Sequence, residues 1–76
     1  MPRPSTRPIP SAPTTTLHRA GCTVVDVAAR AGYRREYVSR MLSGSQPATP
    51  RFWTALVAVA GERAADEIAI LLGVER

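Results

Sequence analysis

Glycine cuts the later part of this chain into short, regular compartments. Gly32, Gly44, Gly61 and Gly73 succeed one another at intervals of 12, 17 and 12 residues. Between them the apolar residues recur at helical spacing. Val24, Val27, Ala28 and Ala31 fall at i, i+3, i+4 and i+7, the signature of one buried helix face. Phe52, Ala55, Leu56, Val59 and Ala60 repeat the pattern. No stretch alternates apolar and polar residues with period two for long enough to suggest a strand. The expected fold class is therefore all-α: a compact bundle of about four short helices.

The helix ends are marked. Thr23 and Asp26 have the Thr-x-x-Asp spacing of a capping box, and Gly32 stops that helix. A second helix is expected over about 34–42, with Val38, Met41 and Leu42 inward and Tyr33 just before it. The Ser43-Gly44-Ser45-Gln46-Pro47 run breaks it. Thr49 and Pro50 suit the N-cap and first position of a third helix, closed by Gly61. A fourth, about 63–72, places Ala64, Ile68, Leu71 and Leu72 on one face and Glu62, Asp66 and Glu67 at its start, where negative charge is favoured. Residues 14–20 suggest one further short helical turn. Five of seven prolines lie in the first thirteen positions, and proline opposes helix in itself and its predecessor. Residues 1–16 thus read as a disordered Pro/Arg arm, and 17–76 as the folded domain. The arm is either an inert tail or a basic segment whose Arg3 and Arg7 touch DNA.

Composition narrows the function. Seventy-six residues hold ten Arg, no Lys and six acidic residues, for a net charge of +4. Such an excess points to an anionic partner, nucleic acid before a membrane surface. One Cys (Cys22) makes no internal disulfide, and with the single His18 it is too little for a zinc site. No metal or cofactor is expected. Paired carboxylates, a nucleophile–base pair and a phosphate loop are all missing, so an enzyme is the weakest class. No apolar run approaches the ~18 residues of a membrane span, and no secretory signal is evident; a cytoplasmic location is expected. The charge is also uneven. Residues 1–60 hold eight Arg against Asp26 and Glu36, whereas 61–76 hold two Arg against four acids, so basic and acidic parts should occupy different faces.

The first two helices of the domain meet the demands of a helix-turn-helix. Ala28 is small where the second helix crosses the first, Gly32 tolerates positive φ in the turn, and Val27, Ala31, Tyr33, Val38 and Met41 supply the core. Residues 23–44, TVVDVAARAGYRREYVSRMLSG, resemble the motif that opens LacI-type repressors. Thr23, Asp26, Val27, Ala28, Ala31, Gly32, Val38, Ser39, Arg40, Leu42 and Gly44 match it as they stand. Beyond Gly44 the likeness fades. There is no sugar-binding domain or hinge helix, so control by a small-molecule effector is not expected. The segment 50–61 is more similar to the stretch after the motif in Cro/C1-type phage regulators. That overall likeness implies a small regulator, phage or bacterial, binding double-stranded DNA.

An α-helix fits the major groove, with its N-terminal residues against base edges. The expected DNA-binding residues are Thr23, Arg34, Arg35, Glu36, Tyr37, Ser39, Arg40 and Ser43. Arg35 and Glu36 come closest to bases: Arg grips guanine O6 and N7, and Glu accepts from a cytosine amino group. Thr23 is placed for a phosphate, with Arg30 and Arg51 as further phosphate candidates. Tyr37 packs on sugar-phosphate, packs on its own helix, or reads a base. Arg34 stands where a side-chain cap is usual but cannot accept an N–H, which leaves a water or a DNA phosphate to cap the helix.

One short recognition helix makes few contacts, so a homodimer on a palindromic operator is expected, with half-sites about 34 Å apart. Residues 63–74 with Trp53 or Val57 are the expected dimer surface, although Trp53 also suits closing the domain's rim. The leading function is a repressor. The alternatives are an activator offering Asp66 and Glu67 to RNA polymerase, or an antitoxin-like module whose arm holds a partner protein.

Overall fold

In a computed structural model that describes residues 11–76, the chain is five short α-helices with no strand among the described residues. They are α1 (Ala12–Arg19), α2 (Val24–Ala31), α3 (Arg35–Ser43), α4 (Pro50–Ala60) and α5 (Glu62–Leu72). The all-α expectation holds; the fifth helix is α1, where the sequence suggested only one short helical turn over 14–20.

The added helix corrects the arm boundary. Ser11 caps α1, its side chain accepting from the Thr14 amide, and Pro13 sits in the first turn, where a missing N–H costs nothing. Pro13, Thr16 and Leu17 are buried, and the Thr16 hydroxyl donates to the Ala12 carbonyl at 3.1 Å. Threonine-rich sequence with a proline carries weak helix propensity. Tertiary burial of Leu17 overrides that propensity, and residues 11–16, expected in the arm, belong to the fold. The arm's remaining positions, Arg3 and Arg7 among them, lie outside the described residues.

The other boundaries differ by a residue. Thr23 and Asp26 form the full capping box: the Asp26 amide donates to Thr23 Oγ1 (3.2 Å) and the Thr23 amide to Asp26 Oδ2 (2.9 Å). Gly32 closes α2 in the left-handed region (φ 75°), and the Gly32 and Tyr33 amides both donate to the Ala28 carbonyl, at 2.9 and 3.0 Å. The chain can therefore turn sharply and start α3 after two residues. α3 runs 35–43 rather than 34–42, because Arg34 has extended backbone and serves as its N-cap.

Leu17, Val27, Val38, Met41, Leu42, Phe52, Leu56 and Ile68 are fully buried. α2 and α3 pack together and α4 lies against α2, while α5 packs against α1 and α4. The Cys22 thiol is buried and donates to the Val59 carbonyl at 3.2 Å, tying the α1–α2 link to α4; His18 is exposed.

The buried face of α5 is rotated from the expected one. Ala64, Ala65, Ile68 and Ala69 are buried and Leu72 partly so, but Leu71 is 49% exposed. α5 fits between two helices, and its alanines allow close approach to both; the larger Leu71 is turned out.

Candidate nucleic-acid interface

Glycine at 32 and the crossing of α2 and α3 put the start of α3 at the surface. Arg34, Arg35, Glu36, Ser39 and Arg40 are all exposed. No side chain caps α3. Tyr37 is the first residue of the turn whose amide is paired, donating to the Arg34 carbonyl at 3.1 Å. The open N-terminal end therefore offers amide donors and the positive end of the helix dipole to any anion in front of it.

The sequence-expected residues divide into two sets. Arg35, Glu36, Ser39 and Arg40 line one open cleft of about 410 Å³, with half-buried Val24 of α2 in its wall. Arg34 is exposed as the N-cap of α3, directly before Arg35, and Thr23 is exposed at the start of α2. Thr23 Oγ1 is used as an acceptor within its cap, which leaves the hydroxyl proton free to donate outward.

Tyr37 and Ser43 are not brought to the cleft. Tyr37 is half-buried, with its ring edge-on to Tyr33, centroids 4.9 Å apart and planes at 89°. The ring thus packs on Tyr33, just before α3, and not on its own helix. Ser43 lies at the far end of α3, where its hydroxyl donates to the Arg40 carbonyl (3.0 Å) and pairs with Ser45 (2.9 Å). There it helps close the helix.

The electrostatics are one-sided. Among the described residues the single ion pair joins Arg76 to Asp66 at 2.8 Å, on the far side of the sequence from α3. Arg30, Arg34, Arg35 and Arg40 have no carboxylate within salt-bridge distance among the described residues, and Glu36 has no cation. The acidic residues Glu62, Asp66 and Glu67 are exposed on α5, and Glu67 shares a cleft with Arg19 and Arg63.

Sequence reasoning assigned Tyr33 to the core and missed its second role. Tyr33 is only half-buried. Its hydroxyl meets Thr49 Oγ1 at 2.8 Å, and the Arg51 guanidinium lies over its ring, 5.6 Å from the centroid. A lone Tyr after a glycine carries no signal for such a contact, since its partners are 16 and 18 residues away.

A cleft of about 700 Å³ lies elsewhere, lined by Ala48, Pro50, Trp53, Thr54, Val57, Glu75 and Arg76. Trp53 is half-buried against Phe52, ring centroids 5.0 Å apart. Near the end of α5, Ile70 is 77% and Val74 45% exposed. No described helix is long and apolar enough to cross a membrane.

Neither the curated proteins nor the solved structures contain a match. A family model described as a helix-turn-helix domain matches residues 18–74, three quarters of the chain, and so takes in α2, α3 and the two helices that brace them. The chain belongs to the helix-turn-helix domain family.

Proposed function

We propose that this protein is a sequence-specific regulator of transcription that binds double-stranded DNA through α3, closest in type to the Cro/C1 regulators. One observation carries the reading: the uncapped N-terminus of α3 is exposed and carries Arg34 and Arg35, with Arg40 further along the same cleft, none with a carboxylate partner among the described residues. Within a helix-turn-helix domain, that end is the one that meets base edges. Arg35 supplies a forked donor for guanine O6 and N7. Glu36 accepts from a cytosine amino group, and Ser39 and Arg40 take the next positions along the groove. Thr23, its hydroxyl proton free, meets a backbone phosphate at the N-terminus of α2, and a phosphate in front of α3 completes its missing cap.

The regulator acts in the cytoplasm as a homodimer on a palindromic operator and represses by occupying it. Exposed Ile70, Leu71 and Val74, with the neighbouring Trp53–Val57 cleft, support self-association at the end of α5. Paired recognition helices about 34 Å apart would read one face of the duplex.

Selection of bound duplexes from a random pool tests the reading. The expected product is a palindrome with half-site centres one helical turn apart, whose binding weakens steeply as salt rises. Recovery of no preferred sequence, with salt-independent retention, refutes it. Light scattering checks the dimer: a strict monomer both free and on the selected duplex refutes that part alone.

A further inference from the structure

We propose that Arg51 is a backbone-phosphate clamp, preset by Tyr33, that anchors the DNA beside the recognition helix; this rests on the DNA-binding reading above. Three observations converge on it. The Arg51 guanidinium lies 5.6 Å from the Tyr33 ring centroid. The ring is itself fixed at both ends of its reach: its hydroxyl meets Thr49 Oγ1 at 2.8 Å, and the Tyr37 ring stands edge-on to it at 4.9 Å. Thr49 in turn is fixed as the N-cap of α4, accepting from the Phe52 amide at 3.2 Å.

The position of this cluster decides what it faces. Tyr33 directly precedes Arg34, the N-cap of α3, so a guanidinium over Tyr33 stands at the same end of α3 as Arg34 and Arg35. Arg51 is exposed, has no carboxylate within ion-pair distance among the described residues and lies in the first turn of α4, which contains no acidic residue. A cation at a helix N-terminus is unfavourable on its own. A guanidinium held over a ring by cation–π attraction makes no hydrogen bond there and keeps its N–H donors for a phosphodiester, in the fork that suits it. The ring restricts the side chain before DNA arrives, so less freedom is lost on binding. Tyr33 is thus a positioning residue that acts through Arg51.

The test measures affinity for the pool-selected duplex across a range of salt, for the wild type and five variants. Arg51→Ala is expected to weaken binding about tenfold for specific and unrelated duplexes alike. It should also lower the log–log salt slope by about 0.9, the loss of one phosphate contact. Arg51→Lys keeps the charge and therefore the slope, but loses the forked donor and should recover only part of the affinity. Tyr33→Leu, which changes no charge, should weaken binding severalfold, and should cost nothing further when added to Arg51→Ala. Arg35→Ala is the control, expected to change base preference instead. Wild-type affinity and slope in Arg51→Ala, alongside an altered preference in Arg35→Ala, overturn the clamp and leave the DNA reading standing. Additive effects of Tyr33→Leu and Arg51→Ala overturn the positioning role. Failure of the wild type to bind any duplex overturns both readings. Should Tyr33→Leu fail to fold, judged by helical circular dichroism, the exposed Arg51 variants still decide the clamp.

Discussion

Replacing Leu17 with Ala is expected to cost the domain about 3 kcal/mol of stability (range roughly 2–5). Leu17 is fully buried, in a helix whose local sequence gives little reason for a helix at all. The substitution removes the equivalent of about three buried carbons, or ~2.4 kcal/mol at ~0.8 kcal/mol each. The surroundings relax only in part, because the Leu17 carbonyl accepts from the Ala20 and Cys22 amides (3.1 and 3.3 Å) and fixes the backbone in place. The residual void adds the rest. In a domain of this size each kcal/mol lowers Tm by about 4–8 °C, so the expected fall is roughly 12–24 °C. Urea unfolding monitored by helical circular dichroism measures it, with an unchanged slope expected if only stability is altered. At a temperature where the variant remains folded, DNA affinity should match the wild type, since α1 contributes nothing to the α3 cleft. A loss below about 0.5 kcal/mol, the level of an ordinary surface change, would refute the placement of α1 and restore the picture of a peripheral arm.

The remaining predictions concern the turn, the cap, the reading face and the dimer. Gly32→Ala meets nothing within 4 Å, so its cost is only that of a left-handed backbone, about 1 kcal/mol, and Gly32→Asn should cost less; a urea-measured loss beyond ~3 kcal/mol shows a steric clash instead. Thr23→Ala removes the capping box and should cost about 1 kcal/mol, with Thr23→Ser close to wild type in the same assay. Arg35→Ala should relax preference at one base pair by ~1–3 kcal/mol, whereas Arg30→Ala should weaken all sequences alike; unchanged preference in Arg35→Ala means that α3 is placed wrongly. Ile70→Glu, at a residue 77% exposed, should leave Tm unchanged at dilution while light scattering shows the dimer lost, and a persisting dimer places the interface elsewhere.

The legible parts of the fold were those with local physical causes. Thr23 with Asp26, Thr49 with Pro50 and Gly32 each act through atoms within a few residues, and each stands where sequence placed it. The α2 and α4 stripes were legible because each helix buries one face. α5 was not, since it packs against α1 and α4 together, and a face shared by two neighbours need not track the largest side chains. α1 was legible only as one turn over 14–20 for a related reason: threonine and proline describe its weak local preference, while its stability resides in what Leu17 touches. The site shows the same division. Arg35, Glu36, Ser39 and Arg40 share a cleft because helical spacing alone brings them together. Tyr37 and Ser43 are on the same helix, but contacts with Tyr33 and Ser45 engage them.

The arrangement of charge is itself an argument for an external anion. Three guanidinium groups, Arg34, Arg35 and Arg51, stand at or near helix N-termini, where a cation is disfavoured by ~0.3–1 kcal/mol. They also repel one another. A protein selected for stability alone would put acids there, as α2 does with Asp26 and α5 with Glu62. α3 carries Glu36 in its first turn, but it forms no ion pair with the neighbouring cations. The core does not require this choice, because the side chains concerned are exposed and every buried side-chain polar atom among the described residues is satisfied. The unfavourable term therefore persists in the free protein and is relieved when a polyanion reaches that end of the molecule. Duplex DNA, with one charge per ~1.7 Å of axis, is the polyanion that the function proposed above brings there.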